Sequence, residues 1–136
     1  MKQRIEDVGE FLKENGIKPS YQRIKIYEYL VKYYNHPTVD MIYRELVPKI
    51  PTLSKTTVYN TLNLFIEKKI TAIIVIDENE TRYDAGTSVH GHFQCNECAR
   101  IDDIDIDLSK IEIPIPEHYE VSEQHFYFKG KCSNCN

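Results

Sequence analysis

The chain has 136 residues, of which 41% are hydrophobic and 28% are charged, and its net charge at pH 7 is −4. This composition is typical of a folded globular protein and excludes a disordered chain, because enough apolar residues are present to form a core. No apolar run reaches the roughly 18 residues of a membrane-spanning helix, and the N-terminus has no signal-peptide pattern, so we expect a cytoplasmic protein without a membrane partner.

The charge is divided unevenly along the chain. Residues 1–82 have a net charge of +2, whereas residues 83–136 have a net charge of −6. A mildly basic half followed by an acidic half favours two parts with different tasks. Chance unevenness on solvated surfaces produces the same pattern, so charge alone does not decide the question.

Four short amphipathic helices are predicted in the first half of the chain. Apolar residues recur with helical spacing in four segments, residues 5–12, 24–34, 39–47 and 58–66. Residues that favour helix N-caps precede the last three segments, namely Ser20, Thr38 and Ser54. Gly16 and the prolines at positions 37, 48 and 51 are expected to separate the helices, since neither residue type continues a helix well.

The period of the apolar residues changes to two after the fourth helix. The residues expected on one side of an extended strand are Ile70, Ala72, Ile74 and Ile76. A turn-forming segment follows at residues 77–80, and residues 81–83 can return as the second strand of a hairpin. Helices followed by one short hairpin are typical of a winged helix-turn-helix DNA-binding domain.

The second half of the chain is predicted to consist mainly of strands. Residues 99–106 and 120–131 are the two candidates, and Pro114 and Pro116 leave little room for a long helix between them. In the later strand Phe126 and Phe128 are expected to face away from His125, Tyr127 and Lys129. We therefore predict an α+β protein with a winged-helix domain at residues 1–83, a hinge at 84–89 and a second domain at 90–136.

The cysteines form two C-x-x-C pairs, Cys95 with Cys98 and Cys132 with Cys135. Zinc prefers four thiolates in a tetrahedron, and a spacing of two residues lets both sulfurs of a pair reach one ion. Because four sulfurs leave no open position, the predicted zinc is structural and not catalytic. Disulfides and a redox-active pair are the alternatives, but no secretory signal supports disulfides and no thioredoxin-like pattern supports redox chemistry.

A second group of residues has the side chains of a metal site. Its members are, in chain order, His36, Asp84, His90, His92, Asp102 and Asp103. His90 and His92 alternate, so both rings lie on one side of an extended strand. Imidazoles combined with carboxylates suit Fe²⁺, Mn²⁺ or Zn²⁺. Taken singly, each of these residues is more often a surface histidine or a solvated acid than a metal ligand.

The fourth predicted helix has a polar outer face that contains no acids. The residues on this face are Lys55, Thr56, Tyr59, Asn60 and Asn63. Hydroxyls, amides and a lysine suit contacts with phosphates and base edges in a DNA major groove. A tyrosine has little structural purpose on a solvent face, and Tyr59 can pack on a thymine methyl group. An ordinary solvated helix face is the alternative interpretation.

Together these residues resemble the ferric uptake regulator (Fur) family of bacterial metal-dependent repressors. The resemblance covers nearly the whole chain and depends on short motifs that follow the family order and spacing. The motifs are Gln22-Arg23, His36-Pro37-Thr38, Thr57-Val58-Tyr59, Arg82-Tyr83-Asp84, His90-Gly91-His92 and the two cysteine pairs. Each motif is modest by itself, whereas the complete set is specific.

The resemblance implies a homodimeric repressor that binds an AT-rich pseudo-palindrome in double-stranded DNA. The N-terminal winged helix would bind DNA, and a small C-terminal α/β domain would dimerise and hold the structural zinc. Under this resemblance Tyr59 would read bases, and with the polar helix face the candidate DNA-binding residues are Tyr59, Lys55, Thr56, Asn60, Lys18 and Arg23. Lys18 would enter the minor groove.

The resemblance also implies a regulatory metal, Fe²⁺ or Mn²⁺, between the two domains. Its ligands would be His36, Asp84, His90, His92 and Asp103. In having an aspartate at position 103 the chain resembles the peroxide-sensing, PerR-like branch of the family. In that branch bound Fe²⁺ reacts with hydrogen peroxide, and a ligand histidine is oxidised. The histidines exposed to this reaction would be His36 and His90.

Three departures from the family pattern leave details open. The neighbouring Asp102 makes the choice of ligand between Asp102 and Asp103 ambiguous. Val89 and Gly91 replace residues that build a further metal site in some members, although His125 matches one ligand of that site. Pro114-Ile115-Pro116 is expected to shorten the C-terminal helix of the family.

Three other functions are compatible with the same residues. An iron, manganese or zinc uptake regulator would share the family pattern without sensing peroxide. A metalloenzyme would use the histidine–aspartate group, but no nucleophile or general base stands out beside it, so we expect no enzymatic activity. A zinc-stabilised interaction module would never bind DNA.

Overall fold

The structure is a computed structural model that describes residues 6–33, 36–76, 80–85 and 90–136. The chain divides into two compact units, Met1–Thr87 and Ser88–Asn136. Several predicted features lie outside the described residues, namely Ile5, Tyr34, Val89, the turn at 77–79 and the hinge residues 86–89.

The first unit contains four helices, α1 (Val8–Glu14), α2 (Tyr21–Tyr33), α3 (Val39–Leu46) and α4 (Lys55–Glu67). The Thr38 side chain accepts a hydrogen bond from the Met41 amide at 3.2 Å, and Ser54 does the same for Thr57 at 3.0 Å. The Ser20 hydroxyl likewise accepts from the Arg23 amide at 3.2 Å, so all three predicted N-caps are confirmed. Asp7 caps α1 in the same way, which the sequence pattern had not indicated.

An apolar core lies among these helices, with Tyr27, Leu62 and Phe65 fully buried. The rings of Tyr27 and Phe65 meet edge to face, with centroids 5.2 Å apart. The Tyr27 hydroxyl donates to the carbonyl oxygen of Ile70 at 3.0 Å, so its polar end is satisfied within the core. This contact attaches the segment after α4 to α2.

A two-stranded antiparallel hairpin completes the first unit, with β1 at Ala72–Ile74 and β2 at Arg82–Asp84. The Tyr83 side chain is buried in the helical core. Ala72 is exposed, contrary to the predicted apolar face. The other three residues of that predicted face, Ile70, Ile74 and Ile76, are buried, but β1 covers only Ala72–Ile74, so Ile70 and Ile76 lie outside the strand.

The second unit contains a three-stranded sheet in the order β4-β3-β5. The strands are β3 (His90–Cys95), β4 (Ile101–Asp105) and β5 (Tyr127–Gly130). β3 pairs antiparallel with β4 and parallel with β5. The helical part of this unit, among residues 90–136, is the 3₁₀ turn Leu108–Lys110, consistent with the two prolines that follow it.

Both predicted strands of the second unit were too long. Ala99 adopts a left-handed backbone with φ 64°, so β4 begins only at Ile101. β5 pairs only with the His92–Cys95 part of β3, and residues 120–126 therefore have no ladder that would make them a strand. Within β5 Tyr127 is half-buried and Phe128 is exposed, and the rings of His125 and Tyr127 lie together with centroids 5.5 Å apart, which agrees with the predicted sides of these residues.

No helix within the described ranges has the length and apolar character to cross a membrane.

Candidate functional site

The four cysteine side chains converge at one end of the second unit. Parallel pairing of β3 with β5 places Cys95 opposite Gly130, two residues before Cys132. The four sulfur atoms lie within 4.8 Å of one another, and Cys98 Sγ is 3.8 Å from Cys132 Sγ. A zinc–sulfur length of about 2.3 Å in a regular tetrahedron gives sulfurs about 3.8 Å apart. The observed spacing therefore fits a structural zinc ion.

The same geometry rules out the disulfide interpretation of the cysteines. All four are free thiols, and a disulfide requires sulfurs about 2.05 Å apart. The sheet register and the turn after β3 place the sulfur atoms of the two pairs at the distance expected for ligands of one ion, which is too long for an S–S bond. Zinc is thus the cofactor that this donor set fits.

The electrostatics of the cysteine cluster favour a divalent cation. Hydrogen bonds from the backbone amides of Cys98 and then Cys132 lower the pKa of Cys95 to about 6. The neighbouring sulfurs of Cys132 and Cys95 raise the pKa of Cys135 to about 12. Without a cation, Cys95 therefore loses its proton readily, whereas deprotonation of Cys135 beside the other sulfurs is unfavourable. A zinc ion removes this conflict, because it binds all four sulfurs as thiolates.

The first unit contains a buried histidine–carboxylate pair. His36 precedes the N-cap of α3 and is 3% exposed, and Asp84 ends β2 and is 4% exposed. His36 Nε2 lies 4.0 Å from Asp84 Oδ2. The His36 backbone has φ 51°, in the left-handed region that residues with a side chain seldom adopt. Strained backbone of this kind is frequent at functional sites.

The second unit contains a cluster of two imidazoles and one carboxylate. His90 and His92 lie two residues apart on β3, and their Nε2 atoms are 3.1 Å apart. Asp103 is the β4 residue directly opposite His92. Its Oδ1 lies 3.6 Å from His90 Nε2 and 3.5 Å from His92 Nε2. The three side chains thus present nitrogen and oxygen donors to one small region of the sheet.

Asp102 lies in a different environment from Asp103. Its Oδ1 accepts a hydrogen bond from Arg100 Nη2 at 2.8 Å, and adjacent strand residues point to opposite faces of the sheet. The geometry therefore favours Asp103 over Asp102 as the carboxylate beside the histidines. His125 contacts Tyr127, whose hydroxyl is 3.2 Å from its Nδ1, and Glu123 at 3.5 Å.

The predicted DNA-contacting residues of α4 are all exposed. These are Lys55, Thr56, Tyr59 and Asn60. Tyr59 is 51% exposed, so its ring is accessible on the outer face of α4. The face therefore has the accessible hydroxyls, amides and aromatic ring that base-edge contact requires.

The three predicted DNA-binding cations differ in their surroundings. Lys18 is exposed, and Arg23 Nη1 donates to the Lys18 carbonyl oxygen at 3.0 Å, so Arg23 holds the backbone of Lys18. Lys55 Nζ lies 2.7 Å from Asp40 Oδ1 on α3. Sequence reasoning missed Asp40, because its spacing from Arg44 indicates a helical ion pair but gives no sign of Lys55.

Comparison with known proteins matches this chain to one family over most of its length. The sequence model of the ferric uptake regulator family matches residues 14–128. The peroxide operon regulator of Bacillus subtilis (strain 168) is 35% identical over 136 residues, which cover 97% of this chain and 93% of the relative.

Solved structures agree with the fold. The Campylobacter jejuni peroxide stress regulator has a TM-score of 0.67 at 25% identity, covering 95% of this chain and 99% of that chain. The Helicobacter pylori ferric uptake regulator, described with three functional metal binding sites, has a TM-score of 0.73 at 19% identity, covering 98% of this chain and 96% of that chain. At that identity the likeness concerns the fold alone.

Proposed function

Because this chain belongs to the ferric uptake regulator family, we propose that it is a metal-dependent DNA-binding repressor of transcription that senses peroxide through bound iron. The observation that carries the proposal is the presence of two chemically different donor sets. One set consists of four thiolates with no open position, and the other consists of imidazoles and carboxylates. The first suits a permanent zinc ion and the second suits an exchangeable Fe²⁺ or Mn²⁺.

The ligands assigned to the regulatory metal are His36, Asp84, His90, His92 and Asp103. The buried pair in the first unit and the three donors in the second unit support this assignment, because both consist of the imidazoles and carboxylates that suit Fe²⁺ and Mn²⁺. The proposal also includes a DNA-binding domain at residues 1–83 and a dimerisation and metal-binding domain at residues 90–136. A hinge at residues 84–89 connects them. A metal that needs both ligand sets selects one domain arrangement, and that selection shifts the population toward DNA binding.

Peroxide sensing is proposed because position 103 is an aspartate and because the chain is 35% identical to a peroxide operon regulator; the histidines of this ligand set are the residues to be oxidised. When bound, iron supplies the reaction with peroxide that oxidises a ligand histidine. The chain positions His36 by a strained backbone and aligns His90 by strand pairing with β4. Oxidation of either imidazole removes a metal ligand. The domain arrangement that binds DNA is then no longer favoured, and the protein leaves the DNA.

Mass spectrometry tests the peroxide step directly. We expect a peptide containing His36 or His90 to gain one oxygen atom after the Fe²⁺-loaded protein is treated with hydrogen peroxide. The Mn²⁺-loaded protein is the control and should show no gain. If the iron-loaded protein also stays unmodified, the chain is a plain iron or manganese sensor and the peroxide assignment is wrong.

DNA binding is assigned to the first unit and dimer formation to the second. The exposed face of α4 supports the first assignment, with Tyr59 and its polar neighbours as base-reading residues and Lys18 and Arg23 near the backbone or minor groove. Exposed apolar side chains in the acidic second unit support the second assignment. They are Ile111, Ile113, Ile115, Tyr119 and Val121.

An electrophoretic mobility shift separates the repressor from a zinc-stabilised protein that does not bind DNA. The probe is an AT-rich palindrome, with a scrambled duplex of the same composition as the control. We expect retardation of the palindrome only when Mn²⁺ is added to the zinc-containing protein. Equal retardation of both duplexes, or none, contradicts the proposed operator class.

The ion pair between Lys55 and Asp40 leads to a prediction about DNA affinity. The Lys55 ammonium, assisted by Arg44, holds the pKa of Asp40 below its usual value, so the carboxylate stays charged beside the DNA-binding face. We expect Asp40→Asn to free Lys55 for a phosphate. Fluorescence anisotropy at several salt concentrations should then show tighter binding, with a slope of log K against log salt steeper by about 0.9.

Asp107→Asn is the matched control, because it removes one exposed carboxylate from the second unit. It makes the same change in net charge without touching α4. If both variants change the salt dependence equally, the effect comes from net charge, and the specific role of Asp40 is rejected.

A further inference from the structure

Arg82 is directed at the strained backbone of His36. Arg82 opens β2, and its Nη1 donates to the His36 carbonyl oxygen at 3.0 Å. Its side chain is only 15% exposed, and its second guanidinium nitrogen lies 3.5 Å from the exposed Glu80. A largely buried guanidinium whose closest hydrogen bond goes to a backbone carbonyl is not placed there for surface solubility.

Two further residues of the same strand contact the segment that begins at His36. The Tyr83 amide donates to the Pro37 carbonyl oxygen at 3.0 Å, and Asp84 Oδ2 lies 4.0 Å from His36 Nε2. Tyr83 is itself anchored in the apolar core. The strand therefore holds His36 by its backbone and faces its imidazole with a carboxylate.

The conformation of His36 gives the Arg82 contact a purpose. A left-handed φ of 51° persists in a residue with a side chain only where the surroundings over-determine it. The hydrogen bond from Arg82 fixes the peptide group that follows this φ angle, and the Tyr83 amide fixes the next carbonyl. Without the first contact, His36 can relax toward the extended backbone that a residue before proline prefers, which turns its imidazole away from Asp84.

We propose that Arg82 is a positioning residue for the regulatory metal, acting through the backbone of His36. This inference rests on the proposed function, in which His36 and Asp84 are metal ligands. Arg82 is not itself a ligand, because a guanidinium has no lone pair to offer. Its effect is to present the imidazole and the carboxylate together before the metal arrives, which lowers the ordering cost of binding.

Mn²⁺ binding to the zinc-containing protein tests the proposal, with free Mn²⁺ measured by electron paramagnetic resonance. We expect Arg82→Met to weaken Mn²⁺ affinity by about 10–100-fold, the usual effect of losing a residue that orients a ligand. Zinc content should not change. Arg44→Met is the matched control, because it removes an exposed guanidinium from the same unit and should retain wild-type Mn²⁺ affinity. Wild-type Mn²⁺ affinity in Arg82→Met overturns the proposal.

A second variant guards against a folding defect in Arg82→Met. Arg82→Lys keeps the charge, but its side chain is one bond shorter than the arginine side chain that brings Nη1 to the His36 carbonyl oxygen, so it should also bind Mn²⁺ more weakly than the control. If Arg82→Lys binds Mn²⁺ as the wild type does, the guanidinium is not required and the proposal is overturned.

His36→Ala separates this inference from the proposed function. If His36→Ala retains wild-type Mn²⁺ affinity, His36 is not a ligand and the proposed site itself fails. If His36→Ala weakens binding and Arg82→Met does not, only the positioning role fails. In the double variant, Arg82→Met should add little to the loss caused by His36→Ala, since it acts through that residue. A general structural role predicts losses that add.

Discussion

Cys95→Ser is expected to leave the protein without zinc and with an unfolded second unit. Cys95 is the buried member of the cluster, and the amides of Glu97 and Cys132 both lie 3.4 Å from its sulfur. Structural zinc contributes about 10–16 kcal/mol of apparent binding free energy in small zinc domains. The second unit has a three-stranded sheet and little else to replace that contribution.

Elemental analysis and size-exclusion chromatography measure the two consequences for Cys95→Ser. We expect no zinc above background and a monomeric or aggregated chain. Ser133→Ala, an exposed position between the cysteines of the second pair, is the control and should bind zinc as the wild type does. A stable dimer of Cys95→Ser without zinc is incompatible with a structural role for the metal.

His90→Ala is expected to abolish metal-dependent DNA binding and leave the zinc content unchanged. The substitution removes an imidazole that lies 3.6 Å from Asp103 and 3.1 Å from His92, so the second unit loses one of its three donors. Allosteric couplings between ligands commonly amount to about 5–150-fold in affinity. Labelled operator DNA is titrated with and without Mn²⁺. We expect Mn²⁺ to increase the DNA affinity of the wild type by a factor in this range and to leave the DNA affinity of His90→Ala unchanged.

His118→Asn provides the control for His90→Ala. His118 is exposed and has a left-handed backbone with φ 67°, which asparagine tolerates better than alanine does. This variant should keep full activation by Mn²⁺. Loss of zinc from His90→Ala would refute the separation into two metal sites, because the change would then reach the cysteine cluster.

The parts of the fold that could be predicted from sequence are those with a local cause. The N-caps Thr38 and Ser54 bond to amides three residues away, so their role is contained in a short segment. The cysteine pairs are similar, because the spacing of two residues already determines that both sulfurs of a pair can share an ion. The parallel pairing of β3 with β5 was not predicted, although it brings the two pairs together.

The carboxylate beside the histidines shows where sequence reasoning stops. Asp102 and Asp103 are chemically identical neighbours, and only the register of β4 against β3 places Asp103 opposite His92 while Asp102 accepts from Arg100. A shift of one residue in that register would exchange the two. No property of the local sequence specifies the register, since it depends on contacts across the sheet.

By itself the sequence determined the family, the four helices with three of their N-caps, and the residue types of both candidate metal sites, because these follow from local spacing and side-chain chemistry. Only the tertiary structure decided which distant residues contact the candidate DNA-binding and metal-binding residues. Asp40 reaches Lys55 from another helix, and Arg82 reaches the His36 carbonyl across 46 positions of sequence. Such pairs depend on packing between elements, which brings together groups whose separation along the chain indicates nothing about their distance in space.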